Sequence, residues 1–195
     1  MQAAWLLGAV IVLVVIVADW RAFSPKASSV ITYGWTVERT EEALVVPQGV
    51  FDADGLLKLP RGWARLFPDQ RAILLSPDAA RFGVTVRTAW PLNGCLLYVG
   101  PEASGPVTLI KRMPWSSALL TALWFLTVAG GTVAYVVSYA MDGGLSSAGG
   151  LFLAVALSGL GLLVCLFGLL IVVVAYRIEN KRLMALFEEF KAALL

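Results

Sequence analysis

The sequence predicts an integral membrane α-helical protein with three transmembrane helices, an inserted small all-β domain (sandwich or barrel-like) and a C-terminal amphipathic helix. Three observations carry this. The 195-residue chain is 59% apolar and only 14% charged, a composition typical of membrane proteins. Its charges avoid three long apolar runs, at residues 3–18, 115–141 and 151–176. Between the first two runs the prolines collect, and short apolar stretches alternate with turn signals, which is the pattern of short strands.

The first run, AAWLLGAVIVLVVIVA extended by Gln2, supplies about 17 helical residues and roughly 25 Å of rise, the short end of what crosses a 30 Å hydrocarbon core. Neither Lys nor Arg precedes it, whereas a secretory signal carries a positive n-region; an uncleaved anchor over residues 1–19 is therefore expected. The runs at 115–141 and 151–176 are comfortably long enough, with residues 142–150 as a short external loop. Trp20, Trp115, Tyr139 and Tyr176 fall at run ends, where amphipathic rings favour the headgroup level.

Orientation follows from the basic residues, because Lys and Arg near span ends are held on the cytoplasmic side. Arg21, Lys26, Lys111 and Arg112 flank the middle segment, and Arg177, Lys181 and Arg182 follow the last span. The amino terminus and the loop at 142–150 hold no basic residue. The expectation is a multi-pass protein of a cytoplasmic (inner) membrane, with its amino terminus outside and residues 20–114 and 177–195 in the cytoplasm. Cys95 lies in the middle segment and Cys165 within the third span, so the two are not expected to bridge.

Within residues 20–114, Ile31, Tyr33, Trp35 and Val37 alternate with polar or small residues, as do Phe82, Val84, Val86 and Trp90, the period of half-buried strands. Asn93-Gly94 reads as a tight turn before a strand at 95–99, and a further strand at 107–112 leads into the second span. Residues 44–46, 56–59 and 72–75 complete a set spaced as in a small sandwich or barrel. Trp35, Phe51, Trp63, Phe67, Phe82, Trp90 and Tyr98 are the expected core.

Several chemistries are excluded. The chain has no histidine, which removes Ser–His proteolysis, H-E-x-x-H zinc sites and histidine-ligated haem. Ser158-Gly159 lacks a base, and Asp142 lacks the second carboxylate an aspartyl protease needs. The apolar runs at 3–18, 115–141 and 151–176 hold no ionisable group except the cysteine thiol and tyrosine phenols, whereas transport pathways retain charged ones. FDADGLL at 51–57 begins like a calcium loop but puts Lys58 and Leu59 where oxygen ligands belong; a turn is expected. Neither a phosphate loop nor a Gly-x-Gly-x-x-Gly fingerprint occurs, and the charges of the middle segment are interspersed, so neither nucleotide nor nucleic acid is expected as a partner. No cofactor, metal or catalytic residue is expected.

Partners other than the lipid bilayer would meet the helices. In the second span Gly130, Ala134 and Ser138 follow one another at i, i+4; in the third, Ala154, Gly161 and Gly168 are seven apart, joined by Ser158 and Cys165. Small residues in register let helix backbones approach closely in lipid. One line suffices to pack the two spans as a hairpin, and a second leaves a face for another subunit or for self-association. After Tyr176, Leu183, Phe187, Phe190 and Leu194 with Leu186 form the apolar stripe of an amphipathic helix. Its mixed charge disfavours a membrane-surface helix, so docking on the chain's own β domain or on a partner is expected. The stripe also fits a heptad seam with Asn180 in the core. The role these features favour is a non-catalytic accessory, assembly or scaffold subunit of a larger membrane complex. The alternatives are a membrane-anchored β-domain module binding a cytosolic ligand or peptide, and a homo-oligomeric channel.

Overall fold

A computed structural model describes residues 2–23, 31–78, 88, 90–99 and 104–194. The chain runs α1 (Gln2–Ala22), β1 (Trp35–Val45), β2 (Leu56–Leu59), β3 (Gly62–Phe67), β4 (Ala72–Pro77), β5 (Asn93–Tyr98), β6 (Ser104–Met113), α2 (Trp115–Met141) and α3 (Ala148–Ala193). It forms two compact units, Met1–Ala118 with Tyr176–Leu195, and Leu119–Ala175. Two helices, α2 and α3, are long and apolar enough to cross a membrane; the apolar stretch registered in α1, Val10–Asp19, is shorter.

In the first unit the strands make one antiparallel sheet in the order β1-β6-β5-β4-β3-β2. Strands β2 to β6 follow as a meander, and β1 returns along the free edge of β6, from Trp35 opposite Met113 to Val45 opposite Ser104. A bulge between Thr36 and Glu38 interrupts that ladder. The sheet is open, not the expected sandwich or barrel. Its second layer is helical: Leu183, Leu186, Phe187 and Phe190 of α3 are fully buried and pack with Ala64, Ile73, Leu75, Leu96, Val107 and Leu109. Burying those four side chains contributes about 6–12 kcal/mol by area bookkeeping. Ile31, Ala72, Cys95 and Ile110 form a smaller cluster, so β4 is buried along its whole length. That is why AILL and CLLY read as unbroken apolar runs instead of alternating ones.

Asn93 and Gly94 do not make a turn. They are the first residues of β5, paired with Arg112 and Lys111. A Cβ at Gly94 would stand 3.0 Å from Leu183 Cδ1, so the glycine is there because a helix presses on the strand. Gly62 has the same role in β3, where a Cβ would meet the backbone of Ser76 and the side chain of Leu186.

The aromatic core is also corrected. Tyr98 is buried, but Phe51, Trp63, Phe67 and Trp90 are half-buried and Trp35 is 51% exposed; side chains close under a docked helix must be small, and the helix brings its own phenylalanines. The strand expected from Ile31 begins instead at Trp35. Phe82 and most of the strand expected around it lie outside the described residues. FDADGLL is a turn, in which Asp52 Oδ1 accepts the N–H groups of Asp54 and Leu56 at 3.0 and 2.7 Å.

Candidate functional site

A single helix, α3, carries the third apolar run and the amphipathic tail without interruption, and the residues from Tyr176 to Arg182 organise two buried polar networks in the first unit. Asn180 points at the sheet, not into a heptad seam. Its Oδ1 accepts a hydrogen bond from Lys111 Nζ at 2.8 Å, and the same ammonium lies 2.7 Å from Glu38 Oε2. Tyr176 donates its hydroxyl to that carboxylate at 3.0 Å. Lys111 is only 4% exposed; two acceptors are what a buried ammonium requires. Its hydrogen bond holds the Glu38 carboxyl below the usual carboxylate range.

One residue earlier, Glu179 is 1% exposed and takes the guanidinium of Arg182 at 2.8 Å and the hydroxyl of Thr88 at 3.1 Å. Arg182 in turn lines a groove of about 330 Å³ with Arg61, Ile178, Lys181 and Ala185. The four α3 residues stand at i, i+3, i+4 and i+7, one face of the helix, and Arg61 is brought opposite by the β2–β3 turn. Arg61 is held by Glu189, whose carboxylate accepts its backbone N–H at 3.0 Å and lies 3.4 Å from Nε. Three cations thus converge on one concavity although they are spread through the sequence.

A third arrangement joins the end of α1 to the start of α2. Asp19 is 1% exposed. Its carboxylate accepts the N–H groups of Trp115 and Ser116 at 3.1 and 2.9 Å and the Ser116 hydroxyl. An anion on the unsatisfied N–H groups of a helix start is favourable for both hydrogen bonding and the macrodipole. Tyr33 reaches the same carboxylate, and burial together with that hydrogen bond pushes its phenol up to about 12. Close by, Gly34 has φ +103°, and a Cβ there would stand 2.6 Å from the Met113 carbonyl, so only glycine fits. Its carbonyl and that of Thr32 accept the Arg112 guanidinium at 3.4 and 2.7 Å.

In the second unit the small residues divide. A Cβ on Gly161 would run into the side chain of Thr132, and one on Gly168 into the ring of Trp124. Ala154 is buried, and the Ser158 hydroxyl bonds back to the Ala154 carbonyl at 2.8 Å. The third-span line is thus spent within the chain, as the seam of the α2–α3 hairpin. The second-span line is not: Gly130, Ala134 and Ser138 are exposed, and nothing lies within 4 Å of where a Gly130 Cβ would be.

The run-end aromatics have varied surroundings. Trp115 is 38% exposed and meets Trp35 edge to face at 5.4 Å, so the tryptophan assigned to the core sits at the start of α2. Tyr139 stacks on Tyr135 at 6.3 Å and lies against Gly144 in the loop. The side chain of Trp20 lies outside the described residues. Leu183, Phe187 and Phe190 are covered by the chain's own sheet, and Leu194 packs at the margin of the same core. Sequence reasoning missed Asp19, Glu38, Lys111 and Glu179; a lone aspartate closing an apolar run was the available signal for the first.

Among the described residues no three His, Cys, Asp or Glu side chains come together as a metal site. No family model matches the chain, and no curated protein or solved structure matches it.

Proposed function

We propose that the chain is a non-catalytic accessory or assembly subunit of a larger membrane complex, crossing a cytoplasmic membrane three times with its amino terminus outside. The sheet and the α3 tail then occupy the cytoplasm. The observation that carries the docking role is the exposed line Gly130, Ala134 and Ser138 on α2, left over once Gly161 and Gly168 have been used within the hairpin. Such a line suits another helix, because close backbone approach is what holds helices together in lipid. The orientation rests on the basic residues at 21, 26, 111, 112, 177, 181 and 182. Lys111 is buried in the folded unit, but the positive-inside bias acts on the chain during insertion, so it still counts. Burial of the tail stripe on the chain's own sheet takes it away as a partner surface and moves the proposed contact to α2.

The test is co-purification in mild detergent of the tagged chain and of a Gly130→Leu/Ala134→Leu variant. Stoichiometric membrane partners retained by the first and lost by the second support the subunit role. A monomer without partners favours the ligand-binding module, and a conducting ring favours the channel.

A further inference from the structure

The groove between α3 and the β2–β3 turn has a chemistry that the docking role does not use. Its lining is Arg61, Lys181 and Arg182 with Ile178 and Ala185. Arg182 is oriented by Glu179 and Arg61 by Glu189, so both guanidinium groups are held in place. Lys181 is exposed and has no acidic partner among the described residues. Lys181 adds a positive charge that neither Glu179 nor Glu189 offsets, and Arg177 stands one turn before it on the same helix. Convergent guanidinium and ammonium donors match the oxygens of a phosphate.

Position identifies the source of that phosphate. Lys181 lies five residues beyond Tyr176 on a continuous helix, which is about 7.5 Å of rise. The headgroup layer outside the hydrocarbon core is about 5–7 Å deep on each side. If Tyr176 marks the end of the hydrocarbon, the cations therefore sit at phosphate depth, and Ile178 lies between them and the acyl chains. Even mixing of charge along the sequence disfavours a general attraction to anionic lipid, but the fold gathers Arg61, Lys181 and Arg182 into one local site.

We propose that this groove binds the phosphate of an anionic phospholipid headgroup at the surface where α3 leaves the membrane. The inference rests on the reading that α3 crosses the bilayer and ends its apolar stretch at Tyr176, and is independent of which side that is.

The test uses the full chain, purified in mild detergent with phosphatidylcholine and phosphatidylglycerol, and counts retained lipids by native mass spectrometry. Wild type should retain phosphatidylglycerol in preference to phosphatidylcholine. Arg61→Gln/Lys181→Gln should lose about 25-fold in apparent affinity, taking roughly fivefold for each basic side chain near a lipid surface. Lys181→Gln alone, at an exposed position, should lose about fivefold with an unchanged melting temperature, and Lys58→Gln, on β2, should lose nothing. Equal retention by wild type and the double variant would overturn the proposal. So would binding of inorganic phosphate at the same residues with no lipid preference, which would make the site one for a soluble anion. Labelling of Asp54→Cys by a thiol reagent that cannot enter cells would overturn the proposed orientation while leaving this site standing.

Discussion

Replacing Phe187 by alanine removes a ring that is fully buried between α3 and the sheet, beside Leu183, Leu186 and Phe190. Truncating a buried Phe costs about 3–5 kcal/mol, transfer and cavity terms together. Against the 5–15 kcal/mol that holds an ordinary domain folded, this is a large fraction. Apolar helices in detergent resist unfolding, so a global melt is a poor readout; amide hydrogen exchange reports the sheet separately. Protection of the β4 and β5 amides at Ile73, Leu74, Leu75 and Leu96 should fall by about two to three and a half orders of magnitude, taking 1.4 kcal/mol per factor of ten. Amides in the middle of α2, in the other unit, should be unaffected. Truncation after Asn180 should uncover the same sheet face entirely while leaving membrane insertion intact. Undiminished protection in Phe187→Ala would mean that the tail is not the second layer of the sheet.

Gly168→Leu and Gly161→Leu should separate the α2–α3 hairpin, because each glycine faces Trp124 or Thr132 directly; a cysteine pair engineered across that seam should cease to crosslink, and unchanged crosslinking would place the seam elsewhere. Burial pushes the Cys95 thiol up to about 11, so maleimide at pH 8 should leave it unlabelled in the folded protein and modify it after unfolding, whereas prompt native labelling would show the β5 face to be open. Glu38 has a folded pKa below its ordinary value of 4.5, so its contribution is present above that value and lost as pH falls through the folded value. Exchange of the β1–β6 amides should accelerate over that acid range, and Glu38→Gln should abolish the pH dependence; an identical profile in the variant would remove Glu38 as its source. Asp54→Cys, in the turn before β2, should react with impermeant thiol reagents only after the cells are opened.

The apolar runs were legible because length and charge exclusion are local properties: α2 has the bounds Trp115–Met141 read from its uncharged stretch, and the β character of the middle segment followed from its turns. What covers the sheet was legible only in part. The apolar stripe of the tail called for docking on the β domain or on a partner, but strand counting suggested a second sheet, whereas the cover is that tail helix, pressed on the strands at Gly62 and Gly94. Gly94 reads as a turn beside Asn93 because the partner that explains it, Leu183, is 89 residues away in sequence. Separation in sequence also hides the groove: Arg61 and Lys181 look like scattered charges until the β2–β3 turn is laid on α3. Of the two small-residue lines, sequence could name both but could not say which one the hairpin consumes, since helix rotation is decided by packing and not by periodicity.

Because the lid on the sheet is translated after every strand it covers, the order of synthesis matters. Strand β6 ends at Met113 and the covering side chains begin at Leu183, so roughly 70 residues, or about 4–14 s at ordinary elongation rates, separate the two. During that interval the nascent sheet presents an open apolar face while the long apolar stretches of α2 and α3 are being synthesised. Chains released early by the ribosome would carry that face permanently uncovered, which marks them for chaperones and proteases.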